Sequence, residues 1–367
     1  MSAEAAQVGA VTAGLGERRR RRGRSVIIGC AVLALLGVLL TVVLGPLAIG
    51  PGELFAALLR RLGLPEAGAV SAVQIGVIEQ IRLPRALLGA LVGASLGAAG
   101  AAMQGFFRNP LADPALIGVS AGGALAAVSL IVLGATFADR LFAVLGPFAL
   151  PLAAFGGALG TVYLIYRISC VDNRVIVPTM LLAGVAANAL AAAGIGYLMF
   201  LADDEQLRDL TLWTLGTLGG ATWSRVLPAA AMMALAVAGL LRLARPMNAL
   251  LLGETDAGAL GVDVERVKRR AALFTALGVG AATAVCGIIA FVGLVVPHLV
   301  RMLTGPDHRY VLPGSALLGA ALVLLADVVA RLAVSPAELP LGVVTAALGG
   351  PFFAWLLLRD KHRGGGW

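Results

Sequence analysis

Few residues in this chain are of types that could do chemistry, and most of them lie at the edges of long apolar runs. Asp327 is the acid set well inside such a run, and Arg331, one helical turn later, can neutralise it. That argues against ion-coupled transport, which needs carboxylates or histidines free to titrate within the membrane. His298 follows Pro297 at the end of another apolar run. A lone histidine in a helical pattern carries little specificity for a metal, and His308 and His362 fall in polar segments. Cys30, Cys170 and Cys286 offer neither a disulfide framework nor metal-ligand spacing. The lysines, Lys268 after Val267 and Lys361 after Asp360, exclude the Gly-Lys-Ser/Thr of a phosphate-binding loop, so ATP hydrolysis by this chain is not expected. Neither a catalytic residue, a metal site nor a permanently bound cofactor is expected.

The elements that hold these residues are membrane spans. Gly287 to Arg331, GIIAFVGLVVPHLVRMLTGPDHRYVLPGSALLGAALVLLADVVAR, runs apolar, then polar, then apolar again, with polar residues at the boundaries. It lacks the polar stripe every three to four residues that a soluble helix pair would show. Hydrophobic residues make up 59% of the chain and charged residues 13%, with a mean hydropathy of +0.94. Soluble domains carry about 25% charged residues. Apolar runs near the ~20 residues needed to cross a bilayer begin at about Val26, Ala86, Pro114, Gly146, Pro178, Val226, Ala271, Ile288, Leu312 and Gly342. The expectation is an all-α polytopic membrane protein of about ten transmembrane helices.

Residues 1–24 form a basic tail, Arg18 to Arg22 and Arg24 at its end, expected to be cytoplasmic and disordered; residues 25–367 form one transmembrane domain. The apolar run Val26 to Leu44 is longer than a signal-peptide core and reads as a retained first span. A polybasic flank stays inside, and ten crossings return the C-terminal Arg359, Lys361 and Arg363 to the same side. Twenty of the 28 basic residues then lie inside; Arg60, Arg61, Arg82, Arg85, Arg140, Arg208, Arg225 and Arg331 lie outside. The net charge of +8 is a topology signal, so no nucleic-acid partner is expected.

Four segments stand out. In PMNALLLGETDAGALGVDVERVKRR, at about 246–270, Gly253 and Gly261 punctuate two short helical stretches, with Glu254, Asp256 and Ala257 at the start of the first, where acids favour the helix dipole. By pattern alone this is equally a solvated connector. IRLPR, Ile81 to Arg85, sets two arginines around a proline before the second span; by pattern it anchors at the interface. Gly89, Gly93 and Gly97 recur every four residues, a small-residue ridge for close helix packing. DDEQLRDLTLW leaves the fifth span on the outer side, where Arg208 could meet a carboxylate or close a salt bridge with Asp204 or Asp209.

Together with GALVGASLGAAGAAMQGFFRNPLADPALIGVSAGGALAA and the motif Asp327 to Arg331, these segments resemble the FecCD family, the permeases of bacterial ATP-binding-cassette importers for iron-siderophores, haem and cobalamin. The likeness covers nearly all of the chain after Arg24. The resemblance implies a type II ABC importer permease fold in the inner membrane, working as a homodimer with two cytoplasmic ATPase subunits, which hold ATP and Mg, and a periplasmic substrate-binding protein. It implies docking of that protein at Arg82, Arg85 and Arg331, and ATPase coupling through Gly253, Glu254, Asp256, Ala257, Leu260, Gly261 and Val262. DDEQLRDLTLW is most similar to the haem-importing branch, which makes haem the expected substrate and sets Arg208 and Asn188 on its pathway.

Overall fold

The computed structural model describes residues 3–45, 47, 49–50, 52–53, 56, 71–137, 144–172, 174–334 and 337–361. Arg60, Arg61, Arg140, His362 and Arg363 lie outside the described residues. Each of the ten apolar runs holds a helix. These are α1 (Ala3–Val43), α2 (Ala72–Phe106), α3 (Val119–Phe137), α4 (Ala149–Ser169), α5 (Val177–Leu201), α7 (Trp223–Arg242), α10 (Val264–Cys286), α11 (Val292–Thr304), α12 (His308–Leu332) and α13 (Leu341–Lys361). Shorter helices between them include α6 (Asp204–Thr214), α8 (Ala244–Leu250) and α9 (Glu254–Ala259). A two-residue antiparallel pair, Cys170–Val171 with Arg174–Val175, turns the chain between α4 and α5. Among the described residues six helices, α1, α2, α4, α5, α7 and α12, are long and apolar enough to cross a membrane, and α3, α11 and α13 contain shorter apolar stretches.

Local chemistry sets the helix starts. Asp203 and Gln206 form a reciprocal capping box on α6, Asp263 accepts from the Arg266 amide at the start of α10, and Asp307 accepts from the Arg309 amide at the start of α12. Three elements differ from the sequence reading. The basic tail expected to be disordered continues α1 upstream as helix from Ala3. It has no proline and carries five Ala and six Arg, good helix formers that offset its four Gly, so a helix nucleated by the apolar span propagates into it. The run expected to begin a helix at Ile288 begins one only at Val292, because Gly287 and Phe291 take positive φ (73° and 67°). The second of the two short stretches around Gly261 is the first turn of α10 itself.

The glycine ridge shows what the centre is built on. A Cβ at Gly93 would strike the Gly319 carbonyl of α12, and one at Gly97 the Ser315 carbonyl. The α2 and α12 backbones are therefore in direct contact, with Gly89 over Leu324 at the same interface. In their most apolar stretches α2 and α12 are 78% and 72% buried, against 28% for α1 and α4 and 17% for α5. The core is thus α2 and α12 with α10, and α1, α4 and α5 form the rim. Loops gather at two ends. One end holds the tail, α8, α9 and the α11–α12 turn; the other holds the end of α1, the start of α2 and the α6–α7 and α10–α11 connections, with Glu338 after α12.

Candidate functional site

At the second end, a π-helical turn, Ile78–Arg82, interrupts α2 just before Arg85. The widened turn frees the Glu79 carbonyl, which accepts from Trp223 Nε1 at 2.7 Å. Arg82 turns back to the end of α1 and donates to the carbonyls of Val42 and Val43, each at 2.7 Å, and of Leu47. It caps α1, satisfying carbonyls that have no partner within the helix. Arg85 makes a fork: Nε and Nη2 reach Asp327 at 3.0 and 2.9 Å, while Nη1 and Nη2 reach Glu338 at 2.9 and 2.8 Å. Arg331 Nε lies 3.1 Å from the other oxygen of Asp327, an ion pair not aligned as a hydrogen bond, and Nη1 and Nη2 donate to Leu44 O and Thr41 O at 2.8 and 3.2 Å.

Three guanidinium groups and two carboxylates thus join α1, α2, α12 and the α12–α13 connection. Arg82, Arg85, Asp327 and Arg331 are buried; the Glu338 side chain is 37% exposed, and hydrogen bonds from Arg85 hold its carboxyl below the ordinary range. The pairing of Asp327 with Arg331 is as the sequence suggests. The interfacial anchoring that pattern alone suggests for Arg82 and Arg85 is corrected: both guanidinium groups serve the protein interior, because unsatisfied carbonyls and a buried carboxylate lie within their reach. Glu338 and Trp223 were missed. Glu338 lies 253 residues from Arg85 and has no local pattern to betray it. Beside this cluster the backbones of three connections interlock: Thr217 N–H donates to Cys286 O at 2.8 Å, Leu341 N–H to Gly216 O at 2.9 Å and Gly342 N–H to Leu215 O at 2.9 Å.

At the first end, α8 and α9 form a compact elbow. Gly253, at φ 116°, makes the turn between them, and the buried Ala257 donates its N–H to Gly253 O at 3.0 Å. Val262 N–H returns to Ala257 O at 3.0 Å, with Gly261 at φ 82° between. Leu251, Leu252 and Leu260 are exposed apolar residues on this elbow. Lys268, missed as a site residue, is buried at the first turns of α10; its Nζ reaches Glu254 at 2.7 Å, Glu265 at 3.2 Å and the Val175 carbonyl at 3.4 Å. Only its i, i+3 spacing from Glu265 was visible beforehand. The elbow is thereby tied to the α4–α5 turn. Asn248 of α8 donates to Asp307 Oδ1 at 2.6 Å and accepts from His308 N–H at 2.8 Å. Burial would raise the Asp307 carboxyl, but hydrogen bonds from Arg309 and Asn248 outweigh it and hold it at about 2.

The two residues set on a substrate path are apart. Arg208 is exposed on α6 and makes no ion pair among the described residues, so the alternative bridge to Asp204 or Asp209 is not formed. Asn188, half-buried on α5, donates to the Ala115 carbonyl at 3.2 Å. On α5, Leu182, Val185, Leu190, Tyr197 and Phe200 are exposed. His298 sits among Pro110, Leu111, Phe352, Phe353 and Leu356, and no group of three or more metal-ligating side chains occurs among the described residues.

The sequence matches the FecCD transport family over residues 33–359. It is 46% identical over 296 residues to the hemin transport system permease protein of Yersinia pestis, covering 78% of this chain and 84% of that protein. It is 43% identical over 302 residues to the cobalamin import system permease protein of Halobacterium salinarum, covering 82% of this chain and 77% of that protein. Its fold is similar to a metal-chelate type ABC transporter solved in an inward-facing conformation, with a TM-score of 0.79 and 29% identity over 92% of this chain and 99% of that one.

Proposed function

The chain belongs to the FecCD transport family, as a membrane-embedded permease subunit of an ATP-binding-cassette importer and not an enzyme, and on that premise we propose that its substrate is haem. The observation that carries the choice is the 46% identity to a hemin permease. The α6 segment supports it: Arg208 is a solvent-facing cation at the loop end of α5, and a guanidinium fork suits a propionate. Cobalamin is the second reading, favoured by the 43% identity to a cobalamin permease.

The working assembly in this reading is two copies of the chain, two ATPase subunits at the tail end and one binding protein at the Arg85 end, in a bacterial inner membrane with both termini inside. The apolar face of α5 supplies contact for a second copy or for lipid, and the exposed leucines of the α8–α9 elbow suit a groove on an ATPase subunit. Docking at Arg82, Arg85 and Arg331 takes a specific form here. Their guanidinium groups are engaged internally, so a partner carboxylate gains Arg85 by displacing Glu338, the half-exposed member of the cluster. Uptake assays with haem, a ferric siderophore and cobalamin, each supplied with its own binding protein, test the substrate. Transport of haem alone supports the proposal; transport of cobalamin or the siderophore without haem refutes it.

A further inference from the structure

A cavity of about 590 Å³ opens at the tail end of the bundle, and its walls come from three separate parts of the chain. Arg19, Arg20 and Arg22 line it from the basic stretch of α1, Asn248 and Leu251 from the α8–α9 elbow, and Met302, Pro306, Asp307, Arg309 and Tyr310 from the α11–α12 turn. None of the three tail arginines has a carboxylate partner among the described residues, whereas Arg21 is paired with Glu17 at 2.8 Å and Arg309 with Asp307 at 2.7 Å. Asp307, the acid in the wall, is already satisfied by Arg309 and Asn248. The helix is seated here by close packing: Gly23 is buried against Tyr310, and a Cβ at that position would lie 2.5 Å from the ring. The family match begins only at residue 33, so nothing in it accounts for this stretch.

We propose that this cavity is a binding site for the phosphate of an anionic phospholipid. Three unpaired guanidinium groups converge on one concavity, and their planar donor forks match phosphate oxygens. The site lies a few residues before Val26, where α1 enters its apolar run, so an occupant stands at headgroup depth. Leu251, Met302, Pro306 and Tyr310 give it an apolar wall that a glycerol and acyl region fills and a free phosphate does not. This rests on the membrane reading of α1 but not on haem as substrate. An occupant would also bridge the tail to Leu251 of the elbow.

The test is native mass spectrometry of the detergent-purified full-length permease, titrated with cardiolipin, with phosphatidylcholine as the neutral comparison and inorganic phosphate as the soluble one. The two triple variants R19Q/R20Q/R22Q and R18Q/R21Q/R24Q remove the same charge from the same helix. An arginine at an anionic headgroup is worth roughly fivefold in affinity. The first triple should therefore weaken cardiolipin binding by about 100-fold and the second by less than about threefold. Should the first triple not give a monodisperse protein, each single Gln substitution at 19, 20 or 22 should still weaken binding about fivefold. Equal losses in the two triples would overturn the site in favour of diffuse attraction by the tail. Inorganic phosphate displacing cardiolipin at comparable concentration would overturn the lipid as its occupant. Survival of the distinction between the triples in a protein that transports no haem would leave this inference standing while the substrate proposal fell.

Discussion

Replacing Arg85 by methionine should be the most damaging single change at the second end of the bundle, and its cost can be worked from the geometry. The substitution keeps most of the aliphatic stem but removes five hydrogen bonds of 2.8 to 3.2 Å, three to Asp327 and two to Glu338. Removing one partner of a buried ion pair costs about 3–5 kcal/mol, because the other charge is left uncompensated. Asp327 is 1% exposed but keeps Arg331 at 3.1 Å, which places the loss near the lower bound, about 3 kcal/mol. Glu338 is 37% exposed and returns to water, so its share is small. The assay is a double-mutant cycle with Arg85→Met, Asp327→Asn and the pair, followed by unfolding in mixed detergent micelles. The double variant should be less destabilised than the sum of the singles by about 2 kcal/mol. Additivity within about 0.5 kcal/mol would refute the coupling of these two residues.

Four further outcomes are expected. Because Glu338 has a depressed carboxyl in the folded protein, its contribution is present above its unfolded value and lost as pH falls through the folded one; the unfolding midpoint should drop on acidification more in the wild type than in Glu338→Gln. The same variant, by freeing Arg85, should bind the substrate-binding protein more tightly in a pull-down titration, and unchanged affinity would remove Glu338 from docking. Ala257→Pro removes the bond to Gly253 O at a helix-interior cost of ~3 kcal/mol, so the ATPase should co-purify poorly while the permease still inserts. Gly93→Val would drive a side chain into the Gly319 backbone, and size-exclusion chromatography should show the folded fraction fall sharply.

The helices were legible because a lipid-facing span must be almost uniformly apolar, and each apolar run could be found without any partner. The glycine ridge was legible for a related reason, since repeated small residues have one obvious use in a membrane. What escaped were groups whose meaning depends on distant partners. Glu338 meets Arg85, Trp223 meets the carbonyl that the π-helical turn frees, and Lys268 meets Glu254 and the Val175 carbonyl. The break at Gly287–Phe291 was hidden as well, because those residues are as apolar as a span; only the interlocked carbonyls of the 215–217 and 286–288 segments require them to be non-helical. The capping of α1 by Arg82 and the pairing of Arg85 with Glu338 could not be read from IRLPR alone.

The proposed conduction of haem under the power of a separate ATPase can be measured in proteoliposomes loaded with ATP and Mg. The permease would be reconstituted with or without its ATPase subunit, and haem would be presented on a binding protein from outside. Haem should accumulate inside only when permease, ATPase, ATP and binding protein are all present, and Arg208→Ala should reduce accumulation more than it reduces ATP hydrolysis. Accumulation that persists without the ATPase, or ATP hydrolysis stimulated by the loaded binding protein with no haem entering, would rule out ATP-driven haem import by this chain.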